Sequence, residues 1–303
     1  MRRGKWCCPA SNHHRPLTIS AAFTLSPMSP ESRAIFEEWT PPIFLTTALT
    51  LSAIVYTRGW IAIRKTRPAI FPIWRLAAFL LGLAVIWVAI ASPLDGFADA
   101  LLSAHMVEHL LLMSFAPPLL LLGYPVVPLL RGLPRRILVP ILGPVLRLRG
   151  LRSLGHFLVI PFVAWFAMNL TFLGWHVPGA YDFALEHERW HEFEHFLFLS
   201  TSILFWWPLV RPWPTSAHYP GWYMLPYLIM ADIVNTALSA FLAFCDRPVY
   251  AYYVQQPNPF HISPQSDQVA GAVIMWVLGS LVFLIPAIFV TLKVLRQQTS
   301  NRM

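Results

Sequence analysis

Seven of the eleven histidines, His105, His109, His176, His187, His191, His195 and His261, fall by the topology argued below at one face of a membrane. Two groups have helical spacing: His105 with His109, and His187, His191 and His195 at steps of four. Residues four apart on a helix project the same way. Imidazole is a ligand for copper, zinc, iron and nickel, and for haem iron. Imidazoles gathered on one side of a bilayer therefore predict a metal or haem site there. Met106 and Met113 add thioethers, soft donors that favour copper(I), although packing alone accounts for two methionines. Glu108, Glu192 and Glu194 stand beside the imidazoles and can orient them from a second shell.

Geometry limits which of these residues share an ion. His187 and His195 are separated by a rise of about 12 Å, and metal–nitrogen bonds are about 2.0–2.1 Å. A pair four apart, with a rise of about 6 Å, can share one. The simplest site takes His105 and His109 from one helix with His191 and His195 from another. His176, His187 and His261 then form an outer set.

The elements that position these residues are transmembrane helices. The chain is 56% apolar and only 12% charged, against about 25% charged in soluble domains. Seven apolar segments, near 42–63, 72–91, 101–122, 156–175, 191–210, 222–244 and 269–292, each cover the ~30 Å hydrocarbon core. The expected fold is all-α, a polytopic bundle of seven transmembrane helices over 41–294. A polar tail (1–40) precedes it and a short tail (295–303) follows. The third segment has two readings, because 110–130 is also charge-free and Pro117-Pro118 must disturb any helix through them. The run Phe196 to Val210 is too short to cross, so the fifth helix must reach back to about His191. That places His191 and His195 at or inside the membrane boundary, where a polar side chain marks a site.

Charge sets the orientation. The linkers after the first, third, fifth and seventh segments, with the positions beside them, hold fifteen Lys and Arg, among them Arg64, Arg67, Arg131, Arg135, Arg147 and Arg211. The opposite linkers hold only Arg189 and Arg247, with acidic Asp95, Asp99, Asp182 and Asp267. Basic linkers stay inside, which puts the N-terminus outside and the C-terminus in the cytoplasm. His156 and His218 then fall on the cytoplasmic side. The net charge of +8 is thus an orientation signal and not a nucleic-acid signal. The basic, leucine-rich linker 131–155 reads either as an interfacial helix or as an ordinary loop. The tail, with Cys7, Cys8, His13 and His14, reads as disordered polar filler, and Met28 is an alternative start. No CxxC is present, so no thiolate site is implied.

Other patterns share these letters. His187 to His191 and His191 to His195 fit HExxH, and His105 to His109 fits HxxEH, the motifs of zinc hydrolases. A histidine-rich helix generates such matches by composition. Asp232 and Asn235 lie on one face of the sixth helix, suited to interhelical hydrogen bonding or to an ion relay. Asp267 opens the seventh span and can cap it.

Ser92-Pro93-Leu94 with Asp99, Ser103-Ala104-His105-Met106, His109-Leu110-Leu111-Leu112-Met113, Pro117-Pro118 and Gly123 resemble the CtaG family of cytochrome c oxidase assembly factors. So do Trp175-His176-Val177-Pro178, Tyr181-Asp182, His191 to His195, Phe205-Trp206-Trp207-Pro208-Leu209, Asp267-Gln268, Ala270-Gly271 and Met275-Trp276. The resemblance covers about residues 40–292. It implies a multi-pass protein of the bacterial plasma membrane, needed to make an active haem–copper oxidase, with copper delivery to an oxidase subunit as the usual inference. The family's histidine positions match His105, His109, His176, His191 and His195; His187 and His261 are nominated by position alone.

The leading expectation is a non-enzymatic assembly factor that holds about one copper ion per chain at the outer face. The alternative is a haem-binding electron carrier or haem-handling protein, using noncovalent axial ligands such as His109 and His195. A copper transporter would need polar groups across the whole bilayer, of which Asp232 and Asn235 are one step. A metalloprotease would depend on Glu188 or Glu192.

Overall fold

The computed structural model describes residues 39–215, 219–256, 258 and 260–300. The expectations for Cys7, Cys8, His13, His14, Met28 and His218 lie outside these residues. Among the described residues every regular element is a helix. In chain order the elements used below are α1 (Ile43–Arg64), α2 (Ile73–Ala91), α3 (Pro93–Ala98), α4 (Leu102–Leu122), α5 (Val126–Gly132) and α6 (Arg149–Leu158). They continue with α7 (Pro161–Trp175), α8 (Pro178–Glu186), α9 (Glu188–Val210), α10 (Met224–Phe244), α11 (Ala251–Gln255) and α12 (Pro264–Ser300).

Proline and serine punctuate the chain. Ser92 ends α2 and starts α3, its hydroxyl accepting from the Leu94 amide at 3.2 Å with Pro93 at the first helical position. Pro161 and Pro178 likewise occupy the first helical positions of α7 and α8, there without a side-chain cap. The Pro117-Pro118 pair does not split α4. Instead a π turn, Leu111–Phe115, precedes it and the helix resumes at Ala116. Pro117 has no N–H to offer the Met113 carbonyl, and the Trp206 indole N–H donates to that carbonyl at 3.0 Å. Of the two readings of this region, the span over 101–122 is the one observed.

Five helices, α2, α4, α9, α10 with its leading turn, and α12, are long and apolar enough to cross a membrane. A sixth is reached if α6 and α7, bent by 72°, count as one span. The straight span expected over 156–175 is thus interrupted. Ile160 precedes proline and is held extended (ψ 127°), which breaks the helix there. What remains in α7 is 15 residues, about 22 Å. Helix α1 has the length, at 22 residues, but its threonines, Ser52, Tyr56 and Arg58 dilute its apolar run. Leu170, Phe162, Phe196, Phe241 and Phe289 point outward, as lipid-facing residues do. The chain is a membrane protein.

Two cores share α4. One gathers α4, α7, α9, α10 and α12 around Met106, Phe172, Phe198, Phe205, Trp206, Tyr227 and Phe283. The other joins α1 and α2 to the second half of α4 through Tyr56, Trp60, Phe79, Ile86, Leu112, Ala116 and Leu120. Tyr56 stacks on Phe79 at 3.8 Å and donates to the Gly123 carbonyl at 2.6 Å. Helices α1 and α5 touch through glycine: a Cβ on Gly132 would lie 1.7 Å from the Val55 carbonyl oxygen, and one on Gly59 1.8 Å from that of Pro128. Small residues allow such backbone approach in membranes. Gly132→Ala is therefore expected to cost more than about 2 kcal/mol. The melting temperature in detergent checks this, with Gly174→Ala as control, since a Cβ there meets nothing within 4 Å.

The two ends of the bundle differ. Arg75 donates to the Leu122 carbonyl at the end of α4, and Arg67 lies over Trp213 just beyond α9. The histidines of α4 and α9 lie at the other end, about 26 Å away along α4.

Candidate metal centre

The start of α4 sets the site. Leu101 occupies the N-cap position and has no side chain able to accept a hydrogen bond. The acceptor comes from α12: Asp267 takes hydrogen bonds from the Leu102 amide (2.7 Å), the Ser103 amide (3.2 Å) and the Ser103 hydroxyl. Asp267 was expected to cap its own helix. That helix begins earlier, at Pro264, with Ser263 Oγ accepting from the Ser266 amide, so the carboxylate is free to cap α4 instead. Gly271 lets the two helices close, since a Cβ there would lie 3.2 Å from Ser103 Cα.

One turn into α4, His105 is fully buried. The Tyr253 hydroxyl donates to the Ala98 carbonyl at 2.9 Å and lies 3.0 Å from His105 Nδ1. The hydroxyl proton is committed to Ala98, so the oxygen accepts from Nδ1–H and Nε2 is left bare. Tyr253 is itself positioned from α8, where Asp182 accepts from the Ala251 and Tyr252 amides and caps α11. Gln268 braces the preceding loop, accepting from the Val249 amide at 2.7 Å and donating to the Leu242 carbonyl at 3.0 Å.

His105 Nε2 and His109 Nε2 are 2.7 Å apart. Helix α9 brings His191 and His195 against them, with ring centroids 5.1 Å (His105–His191) and 5.7 Å (His109–His195) apart. Two carboxylates enter the same space. Glu194 lies 3.6 Å from His109 Nε2, and Glu108 lies 3.9 Å from His195 Nε2. Donor atoms of His105, Glu108, His191 and His195 lie within 4.8 Å of one another, as do those of His105, His109 and Glu194. Glu108 and Glu194 were expected behind the imidazoles; they stand among them.

Many of these atoms have no hydrogen-bond partner in the protein: both oxygens of Glu108, Glu194 Oε1, His109 Nδ1, and Nε2 of His176, His191 and His195. Burying polar and charged groups unpaired is costly. A bound cation relieves that cost, and an imidazole–carboxylate set suits first-row transition metals. The residues fit a metal.

His176 sits beside the cluster. Its Nδ1–H donates to the Phe172 carbonyl at 2.7 Å, which leaves Nε2 bare, and its ring is 6.1 Å from that of His109. His187 and His261 are exposed and stand outside the cluster. Met106 is fully buried and packs toward Gly271 on α12 rather than among the imidazoles. Glu188 and Glu192, the bases of an HExxH reading, are exposed. Asn235 donates to the Met275 carbonyl at 3.3 Å, an interhelical bond, while Asp232 Oδ1 is buried without a partner. On α3, burial and then the neighbouring Asp99 push the Asp95 carboxyl up to about 6. Tyr253 and Asp182 were not singled out as site-building residues by type and spacing. The signal for Tyr253 is a tyrosine-rich stretch, Tyr250 to Tyr253, beside a span, and that for Asp182 its place in the Tyr181-Asp182 motif and among the acidic residues of the outer linkers.

The family model described as cytochrome c oxidase caa3 assembly factor (Caa3_CtaG) matches residues 54–297. Among curated proteins, the uncharacterized protein Mb0105 of Mycobacterium bovis is 28% identical over 293 residues, covering 89% of this chain and 41% of that protein. The uncharacterized protein MT0111 of Mycobacterium tuberculosis matches with the same figures. ML1998 of Mycobacterium leprae is 26% identical over 284 residues, with the same coverage. The chain thus spans about two fifths of the length of these relatives. No solved structure matches it.

Proposed function

Since the chain belongs to the family of cytochrome c oxidase caa3 assembly factors, we propose that it is a non-enzymatic membrane factor that binds copper and hands it to a haem–copper oxidase subunit. Copper is cargo here, held by His105, His109, His191 and His195 with Glu108 and Glu194. The observation that carries this reading is the buried set of imidazole and carboxylate atoms left without protein partners. In this reading α1 and the bent α6–α7 pair also cross, which makes seven spans. The basic linkers support an orientation with these residues at the outer face of a bacterial plasma membrane and the arginine-rich end in the cytoplasm. A cargo site near one face, with exchangeable nitrogen and oxygen ligands, suits release to a partner in the same membrane.

The packing favours an ion over haem. The ring of His105 lies 4.2 Å from that of His109 and 6.1 Å from that of His195, which fills the plane a macrocycle would need between two axial ligands. Elemental analysis and an absorption spectrum of the purified protein test both readings. Bound copper without a Soret band is expected. A preparation that retains no copper after loading and washing overturns the proposal, and a Soret band replaces it with the haem reading.

Tyr253→Phe removes the acceptor that fixes the His105 tautomer. Copper affinity is expected to fall about 10–100-fold, the usual effect of losing such a hydrogen bond. Competition with a chelator of known affinity measures it, and unchanged affinity would mean that the hydroxyl does not orient the ring.

A further inference from the structure

One five-residue pattern occurs twice in the centre. His105-Met106-Val107-Glu108-His109 and His191-Glu192-Phe193-Glu194-His195 both read H-x-x-E-H. The two copies meet with crossed pairing, as the glutamate of each helix approaches the last histidine of the other, Glu194 to His109 and Glu108 to His195.

The six donors do not form one set. An ion with bonds of about 2.0–2.1 Å holds its ligand atoms within about 4.2 Å of one another. The donors fall instead into two overlapping groups, His105 with Glu108, His191 and His195, and His105 with His109 and Glu194. His105 is common to both, but its Nδ1 is taken by Tyr253, so only Nε2 is free to bind and it serves one ion. The second group regains a ligand from His176, whose buried Nε2 has no partner and whose ring neighbours that of His109. A single ion would leave one of the two buried carboxylates unpaired, a costly state.

We infer that the centre holds two first-row transition-metal ions. One is bound by Glu108, His191 and His195, the other by Glu194, His109 and His176, with His105 completing one of them. This rests on the metal-binding reading above and goes beyond it in stoichiometry and in ligand assignment. It gives each buried carboxylate a cation, and it gives His176 a role.

The test is the metal content of the full-length protein in detergent, loaded with copper(II) and freed of excess by gel filtration. Two copper ions per chain are expected, with an electron paramagnetic resonance signal that integrates to well under two spins because neighbouring ions couple. One ion per chain, with a full single-ion signal, overturns the dinuclear assignment and leaves the copper reading standing. No copper overturns both. Glu108→Gln, Glu194→Gln and His176→Ala should each reduce the count from two to one, while His187→Ala should retain two. The wild-type count and spectrum decide the matter even if a variant fails to fold.

Discussion

A strain carrying His105→Ala together with His109→Ala should accumulate oxidase polypeptide at normal levels but contain little copper in it. The two residues are buried and face each other at 2.7 Å; His105 enters both donor groups and His109 the one with Glu194. Removing them takes from Glu194 both imidazoles of its donor group and from Glu108 the His105 ligand, which leaves two buried carboxylates with incomplete ligand sets. The purified double variant should bind copper at least about 100-fold more weakly, since loss of a single outer-shell partner alone costs 10–100-fold. Oxidase activity per polypeptide should fall about tenfold or more, and copper supplementation should restore part of it by mass action. Copper content in isolated oxidase, measured beside the amount of polypeptide, checks this. Normal copper in the oxidase of that strain would remove the delivery proposal.

Asp267→Ala should have the largest effect on stability among single substitutions near the site. It deletes an acceptor shared by two backbone amides and a hydroxyl at the start of α4. No side chain at Leu101 replaces it, and Asp267 itself is buried. A lost cap costs about 1 kcal/mol, and each buried donor left without a partner costs about 1–3. Only the Leu102 bond is fully buried, so the sum is about 2–4 kcal/mol, and it should lower the melting temperature in detergent markedly. Asp267→Asn keeps an acceptor oxygen and should recover part of the loss. Copper affinity should fall with Asp267→Ala as well, because His105 lies one turn beyond the cap. An unchanged melting temperature would mean that α4 starts independently of α12.

The apolar runs made the helices legible. Those expected over 42–63, 72–91 and 101–122 correspond to α1, α2 and α4 within a residue or two. The fifth helix does begin upstream of His191, as its short apolar run required. Hydropathy averages over a window and does not register where a backbone turns, so the bend at Pro161 was missed although proline was in view. The steps of four from His187 to His195 carried the reading too far. His187 is the N-cap of α9, with φ −133° and ψ 96°, so helical spacing does not extend to it. The pairing of the α4 and α9 imidazoles followed from spacing and topology. The supports of the site did not, because Asp267, Asp182 and Tyr253 act across 164, 69 and 148 residues of sequence respectively. No local period encodes such contacts.

The π turn in α4 has a consequence for how this molecule can vary. One residue inserted into a helix rotates everything beyond it by about 100° relative to everything before it. The upper half of α4 can therefore aim His105 and His109 at α9, while the lower half aims Leu112, Ala116 and Leu120 at α1 and α2. A single rod of fixed phase would have to compromise between those directions. The offset lets the histidine–glutamate cluster and the lobe around Tyr56 be tuned by separate substitutions, although both hang on the same helix.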